Sequence, residues 1–210
     1  MCIRDSRLQS ERGARLSALA SAAAALTAGR REAAKKLAKA VETGLRELAM
    51  PEARFAVKLD APSTGAGWPE EAASGPSGAE APEFQLSANE GASLRSLQKV
   101  ASGGELSRVF LALKNALRQA GTGMVLVFDE VDAGIGGRAA ERVGRALAEL
   151  AATHQVLCIT HLPQIAAFAS RHFRVEKAQQ KGRTRTRVTA LDEAERVEEI
   201  ARMAGGEAIT

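Results

Sequence analysis

Two short apolar runs, each preceded by a helical pattern, constrain the fold of this chain more than any other feature. Residues 105–120 have the periodicity of an amphipathic helix and lead to the run MVLVF, and residues 138–152 repeat this order before the run QVLCIT. Short, continuous apolar runs are typical of strands that are buried on both faces. The order helix, strand, helix, strand therefore predicts an α/β fold with a mostly parallel sheet and flanking helices.

A long helix is predicted before this unit. Residues 8–50 place leucines and alanines in steps of three and four, with Arg30 at one position of the seam, and Pro51 ends the pattern. The pattern fits one strand of a coiled coil whose partner helix lies elsewhere, or a plain amphipathic surface helix. We expect residues 1–50 to form the end of a coiled-coil arm, and the extreme N-terminus, MCIRDSR, to be artificial.

Three further segments complete the predicted lobe, which spans residues 51–210. RFAVKL and EFQLSA predict two antiparallel strands joined by a flexible loop, residues 61–82, that is rich in Pro, Gly, Ser and Ala. HFRVEK and TRTRVTAL predict a β-hairpin. In the last segment, Asp192 and Glu195 have the spacing of a capping box, and Gly205 is placed to end the helix that follows them.

Composition and charge narrow the possible functions. The formal net charge of +4 is compatible with a nucleic-acid partner and equally with an ordinary solvated surface. Aromatic residues make up only 3% and tyrosine is absent, which argues against a stacking platform for bases. The two distant cysteines predict no disulfide, with Cys158 as a small core residue, and no segment has the roughly 20 apolar residues of a membrane span. We expect a cytoplasmic protein with no membrane partner.

The stretch SGGE, residues 102–105, places two glycines at the start of a helix. Ser102 and Glu105 have the spacing of a capping box, but Gly103 and Gly104 each weaken the first turn by about 1 kcal/mol relative to alanine. Glycines let a ligand approach the backbone, and the unpaired N–H groups of a helix start favour an anion such as phosphate. An ordinary capped helix start is the alternative. The buried face of this helix is expected to consist of Leu106, Val109, Phe110, Leu113 and Leu117.

Polar residues directly follow both apolar runs. Asp129 and Glu130 follow the first run, and His161 follows the second, so we expect all three at one edge of the sheet, where open α/β sheets bind ligands. An aspartate there can hold Mg²⁺, and a neighbouring glutamate can take a proton from attacking water. A histidine beside such a site can hydrogen-bond a phosphate. Each of these residues also occurs in ordinary loops, so none is specific alone.

The three motifs together resemble those of the ATP-binding-cassette ATPases. SGGE corresponds to the signature motif, VLVFDE to Walker B, VDAGIGG to the D-loop and ITH to the switch histidine. The longer stretches KVASGGELSRVFLALK, FDEVDAGIGGRAAERVG and QVLCITHLPQIAA resemble the C-terminal part of the RecN family, SMC-like ATPases of DNA double-strand-break repair. The resemblance covers about residues 30–210.

This resemblance implies a split ATPase head that acts on DNA and holds ATP and Mg²⁺ between the two heads of a homodimer. It assigns the contacts with the nucleotide of the opposite protomer to the signature motif, Ser102, Gly103, Gly104 and Glu105. It also implies that Asp129 organises Mg²⁺ and that Glu130 is the general base. Asp132 would report across the dimer interface, and His161 would sense the γ-phosphate.

One departure from the family pattern limits what the chain is expected to do alone. The Walker A sequence G-x-x-x-x-G-K-[ST] does not occur in these 210 residues. We therefore expect half an active site, a need for the N-terminal Walker A lobe of this family, and no ATP hydrolysis by the isolated chain. Two alternatives remain: the nucleotide-binding domain of another cassette ATPase such as a transporter, and a non-catalytic module that binds DNA or protein through Arg183, Arg185 and Arg187.

Overall fold

The computed structural model has the predicted mixed α/β architecture and divides into two compact units. It describes residues 3–60, 75, 77–100, 102–118, 121, 123–180 and 183–205, without the side chains of residues 3–5, 178–180 and 183. The first unit comprises Met1–Glu42 and Ala53–Lys99, and the second comprises Thr43–Glu52 and Val100–Thr210.

The predicted N-terminal helix is a single element, α1, which spans Ile3–Glu47. Most of its described residues are exposed, including Leu26 on the predicted seam, and burial is complete only near its end, at Val41 and Leu45. Within the part of the chain that the structure describes, no second long helix runs alongside α1. An apolar seam left open over most of a 45-residue helix is typical of one strand of a coiled coil.

An antiparallel sheet forms most of the first unit, as predicted. Strand β1, Arg54–Asp60, pairs along its whole length with β2, Ala81–Ser87, and the short strand β3, Arg95–Ser96, pairs with β2 and leads into a 3₁₀ turn, Leu97–Lys99. The rings of Phe55 and Phe84 lie 5.6 Å apart on this sheet.

Most of the predicted loop at residues 61–82 lies outside the described residues. Its described end is held to α1 by Arg30, whose guanidinium donates to the carbonyls of Glu80 (3.1 Å) and Ser77 (2.7 Å). The side chain that interrupts the predicted seam therefore binds backbone of the same unit.

A parallel strand pair lies at the centre of the second unit, which confirms the predicted sheet type. The elements follow in the order α2 (Gly103–Ala116), β4 (Val125–Phe128), α3 (Gly137–Ala151), β5 (Gln155–Cys158) and α4 (Pro163–Ala166). The pairing runs from Val125 opposite Gln155 to Phe128 opposite Cys158. Helix α3 lies close to α4 because Gly144 has no side chain: a Cβ there would lie 2.5 Å from the ring of Phe168.

The prediction that these strands are buried on both faces was wrong for this chain. Leu126 and Phe128 are buried, but Val125 and Val127 are 60% and 61% exposed. Leu157 in β5 is 47% exposed, and Ile159, just after β5, is 61% exposed. A continuous apolar run indicates that both faces are suited to burial, yet the described helices cover only one of them. We call the uncovered side, residues 125, 127, 157 and 159, the open sheet face.

The predicted buried face of α2 was also partly wrong. Val109 is buried as expected, but Leu106, Phe110 and Leu117 are 37–40% exposed, and the covered side instead contains Gly104, Arg108, Val109, Leu111 and Ala112. Helix α2 is apolar on more than one side, so its periodicity could not indicate which side this chain covers.

The C-terminal part forms the predicted hairpin and helix. Strands β6, His172–Gln180, and β7, Arg183–Leu191, pair in antiparallel register along all nine residues, and α5 spans Glu193–Gly205. Asp192 caps α5 as expected, since its Oδ1 accepts from the Glu195 N–H and its own N–H donates to Glu195 Oε2, both at 2.9 Å. Among the described residues, no helix is long and apolar enough to cross a membrane.

Candidate active site

The carboxyl ends of β4 and β5 bring the predicted acidic residues and histidine to one edge of the sheet. The register places Phe128 opposite Cys158, and the Ile159 N–H donates to the Phe128 carbonyl at 2.9 Å. The chain then leaves β4 through Asp129 and Glu130, and leaves β5 toward His161. All three side chains are exposed at this edge, where open α/β sheets bind their ligands.

The start of α2 lies against the turn that follows β4. Ser102 is the N-cap, and its Oγ accepts from the Glu105 N–H at 3.4 Å. A Cβ on Gly103 would collide with the carboxylate of Glu130, and a Cβ on Gly104 would lie 2.8 Å from the Cβ of Ala133. The start of α2, predicted to be the signature motif, and Glu130, predicted to be the Walker B acid, are therefore neighbours within this one chain.

This contact gives a different reason for Gly104 from the one that the sequence predicted. Gly104 is buried, and its missing side chain makes room for the chain's own Ala133 and for the Glu130 carbonyl, 3.0 Å from the built Cβ. Gly103 is exposed. A nucleotide contact for either glycine stays a prediction.

Glu130 is held in an unusual backbone conformation. Its φ of 57° lies in the left-handed region, which costs a non-glycine residue roughly 1–2 kcal/mol. Three hydrogen bonds fix the turn: Asp129 Oδ1 accepts from the Glu130 N–H (2.9 Å), Ser107 Oγ donates to the Asp129 carbonyl (2.7 Å), and the Ala133 N–H donates to the Glu130 carbonyl (2.9 Å). Backbone strain of this kind is common where a side chain must be aimed at a ligand.

Arg108 of α2 also binds the turn that follows β4. The residue is buried, and its guanidinium donates to the carbonyls of Ala133 (2.9 Å) and Val131 (3.4 Å). Burial lowers the pKa of Arg108 below its ordinary value, and the carboxylate of Glu105 partly offsets this effect. The buried guanidinium fixes the position of the signature stretch relative to the Walker B turn.

Asp132 connects the Walker B turn to the residues after β5. The residue is only 4% exposed, and its Oδ2 accepts from Thr160 Oγ (2.5 Å) and from the His161 N–H (3.0 Å). The same oxygen lies 3.0 Å from His161 Nδ1. The Leu162 N–H donates in turn to Thr160 Oγ at 3.0 Å. Asp132 therefore holds the histidine of its own chain, whereas a contact across a dimer interface stays a prediction.

The donor atoms at this edge fit Mg²⁺ that is bound together with phosphates. Mg²⁺ sites in nucleotide-binding proteins commonly use one or two carboxylates, with phosphates and water as the other ligands. Asp129 supplies one exposed carboxylate. Among the described residues no group of three or more His, Cys, Asp or Glu side chains is placed to hold a metal ion, so these residues offer no metal cage without phosphate.

Sequence reasoning predicted that three polar residues share this edge and missed the residues that support them. It identified Asp129, Glu130 and His161 from their places after apolar runs. It missed Ser107, Arg108 and Thr160, whose contacts join elements that are distant in the sequence. The one available signal was Arg108, a charged residue between apolar positions of a helix.

Cys158 lies under this site at the end of β5. Burial, followed by the nearby carboxylates of Asp132 and Asp129, raises the pKa of the thiol to about 12. The side chain is only partly covered, so the prediction of a small core residue is only partly correct.

The fold is similar to that of solved SMC head domains. Among solved structures, the Smc head domain with a coiled coil and joint from Pyrococcus yayanosii is similar, with a TM-score of 0.52 and 21% identity over 81% of this chain and 29% of that chain. No family model matches the chain.

Sequence comparison identifies the particular relatives. The chain is 47% identical over 202 residues to the DNA repair protein RecN of Streptomyces coelicolor, which covers 94% of this chain and 35% of that protein. It is 42% identical over 190 residues to RecN of Haemophilus influenzae, covering 90% of this chain and 32% of that protein. The chain is therefore a relative of the C-terminal part of RecN, and it spans about a third of the length of these relatives.

Proposed function

We propose that this chain supplies the C-terminal lobe of a RecN-like ATPase head, which binds and hydrolyses ATP between two heads and acts in the repair of DNA double-strand breaks. The observation that carries the proposal is the strand-end site, where Asp129, Glu130 and His161 share one edge. The similarity to RecN over nearly the whole chain supports the same class of activity. We expect this work to take place in the cytoplasm, on the chromosome.

Two carboxylates divide the chemistry at the edge. Bound Mg²⁺ would neutralise phosphate charge, and Asp129 is the residue that would hold it, directly or through water. Glu130 is exposed beside it and would take the proton from the attacking water. The left-handed backbone of Glu130 supports this role, because it aims the carboxylate away from the strand and toward the start of α2.

Asp132 positions His161 for its role at the phosphate. His161 Nδ1 lies 3.0 Å from Asp132 Oδ2, and its backbone N–H is bound to the same oxygen. These two contacts orient the ring and leave Nε2 as the atom that can reach a ligand, since 75% of the side chain is exposed. His161 would then hydrogen-bond the γ-phosphate.

The signature motif would serve the nucleotide of a second copy. Ser102 and Gly103 are exposed at the start of α2, where unpaired N–H groups attract phosphate. Glu130 also approaches Gly103 within one chain, so the signature face and the Walker B acid of each copy lie side by side. In a dimer of two heads related by a two-fold axis, the signature motif of each copy would face the acids of the other, which gives two equivalent composite sites.

The open sheet face supports a requirement for the Walker A lobe. Its four apolar side chains are 47–61% exposed, and exposed apolar clusters of this kind mark interaction surfaces. We propose that the Walker A lobe, which these 210 residues do not contain, covers this face and supplies the lysine that binds the β- and γ-phosphates.

A chimaera tests this function. In the chimaera, this chain replaces the segment of Streptomyces coelicolor RecN to which it aligns. The Mg²⁺-dependent ATP hydrolysis of the chimaera is then measured. We expect the chimaera to hydrolyse ATP and the isolated chain not to. Glu130→Gln should lower the hydrolysis rate of the chimaera at least a hundredfold, which is the lower end of the usual effect of losing a general base. Robust hydrolysis by the isolated chain, or full activity of the Glu130→Gln chimaera, would contradict the proposal.

A further inference from the structure

The β6–β7 hairpin carries a concentration of positive charge that the ATP site does not use. Between Glu176 and Asp192 the sequence has five basic residues and no acidic residue, although the whole chain has a net charge of only +4. The basic residues are Lys177, Lys181, Arg183, Arg185 and Arg187.

The geometry of the hairpin presents part of this charge on an extended ribbon. Nine paired residues on each strand give a length of roughly 30 Å at about 3.3 Å per residue. Lys177, Arg185 and Arg187 are exposed. Arg185 and Arg187 are two residues apart on β7, so they lie on one face of the ribbon, about 6.6 Å apart along the strand.

The carboxylates near the base of the hairpin have other partners. Glu176, which lies opposite Arg187, is 3.3 Å from the guanidinium of Arg174. Glu199 of α5 forms two hydrogen bonds with Arg202, at 2.6 and 2.9 Å. Among the described residues, neither Arg185 nor Arg187 has a carboxylate within ion-pair distance. Two guanidinium groups on this face are therefore available to an external anion.

The chemistry of the ribbon favours a nucleic-acid backbone over bases. Residues 177–191 include no aromatic side chain, so single-stranded bases would find no stacking partner. Guanidinium groups bind phosphate oxygens in a bidentate manner, with two parallel N–H donors for two oxygens. Two neighbouring guanidinium groups on one face of an extended ribbon match a duplex, in which phosphates follow one another along each strand.

We propose that the β6–β7 hairpin is a DNA-binding finger, in which Arg185 and Arg187 contact backbone phosphates of duplex DNA without sequence preference. The finger shares the DNA partner with the proposed function but not the ATP site. DNA binding without nucleotide therefore tests it, whether or not the ATPase proposal is correct.

The salt dependence of DNA binding measures the finger directly. The 210-residue chain is titrated onto a fluorescently labelled 30-base-pair duplex by anisotropy, without ATP, between 50 and 200 mM salt. Each neutralised phosphate contributes about −0.9 to the slope of log K against log salt concentration, so Arg185→Ala/Arg187→Ala should make the slope less steep by about 1.8. If the two lines meet at 1 M salt, this difference corresponds to about 60-fold weaker binding at 0.1 M.

Two control variants separate the finger from general effects of charge and folding. Arg185→Lys/Arg187→Lys keeps both charges and should retain the slope of the unmodified chain. Arg31→Ala/Lys36→Ala removes two exposed cations from α1 and should also leave the slope unchanged. Circular dichroism is expected to be the same for all variants, because every altered side chain is exposed.

Three results would overturn the finger: no binding of the duplex, an unchanged slope in the alanine variant, or an equal loss in the α1 control. Tighter binding to single-stranded DNA of the same length would also contradict it. An unchanged slope together with an active ATPase chimaera would reject the finger alone. A finger-dependent slope together with an inactive chimaera would reject the proposed function alone.

Discussion

Replacing Gly104 with alanine tests the contact that joins the signature stretch to the Walker B turn. The new Cβ would lie 2.8 Å from the Cβ of Ala133 and 3.0 Å from the carbonyl oxygen of Glu130. The Cβ of Ala133 and the carbonyl of Glu130 belong to one turn, which Arg108 holds in place, so neither group can move far. We therefore expect Gly104→Ala to be destabilising.

The size of the effect follows from two opposing terms. Overpacking of a well-packed site costs about 1–3 kcal/mol. Alanine is favoured over glycine inside a helix by about 1 kcal/mol, and by less in the first turn. The net loss in the free energy of unfolding should be about 1–2 kcal/mol, or roughly 2–8 °C in the melting temperature at 2–4 °C per kcal/mol.

Gly103→Ala is the matched control. The obstacle there is the end of the Glu130 side chain, which can rotate away at small cost, so the melting temperature should not fall. Thermal unfolding followed by circular dichroism compares both variants with the unmodified chain. Equal melting temperatures for Gly104→Ala and the unmodified chain, or a larger loss for Gly103→Ala, would refute the close contact at Gly104.

Three further predictions concern other parts of the second unit. Gly144→Ala should lower the melting temperature more than Gly104→Ala, because its Cβ would meet the ring of Phe168 at 2.5 Å; a smaller loss would contradict the close packing of α3 on α4. With Cys2 replaced by serine, alkylation of Cys158 at pH 8 should be about a thousandfold slower in the folded chain than in the chain unfolded in urea. The reason is that a rise in the pKa of the thiol from 9.0 to about 12 lowers the thiolate fraction by that factor. Equal rates in the two states would contradict the shift. Hydrogen bonding to Arg202 lowers the pKa of the Glu199 carboxyl in the folded state, so its contribution to stability is complete above about pH 4.5 and is lost as the pH falls through the folded pKa. Glu199→Gln should therefore weaken the pH dependence of the free energy of unfolding, measured by urea denaturation, in that acidic range. An unchanged pH profile would contradict the effect.

Local sequence patterns were sufficient to predict the element types and the edge of the sheet where Asp129, Glu130 and His161 lie. The N-cap at Ser102 and the capping box at Asp192 depend on residues three apart. The two strand ends are marked by apolar runs that stop at polar residues. Because parallel strands end at one edge, Asp129 and His161 could be expected together without knowledge of the full fold.

Patterns within one element could not predict which of its faces would be covered. Helix α2 has apolar residues on several sides, and the side with Leu106 and Phe110 is partly exposed while that with Val109 is buried. The wrong prediction for the open sheet face has the same cause. The sequence of β4 shows that Val125 and Val127 are suited to burial, but it does not show that the described helices leave them exposed.

Contacts between distant residues were the other feature that the sequence could not predict. Thr160 binds Asp132 across 28 residues, and Arg108 binds the turn at Ala133 across 25. Neither residue belongs to a spacing pattern that indicates its partner. The reason for Gly104 was likewise a tertiary contact within the chain rather than a property of the helix start.

The most direct test of the composite ATP site is a complementation assay in the RecN chimaera. Ser102→Arg blocks the signature face and Glu130→Gln removes the general base, so each variant alone should be inactive. If each site is built from two heads, mixing the two variants creates heterodimers with one intact site, and ATP hydrolysis should return. If the mixture stays as inactive as its components although light scattering shows that they form mixed dimers, then the signature stretch and the Walker B acids do not act on one nucleotide across two heads.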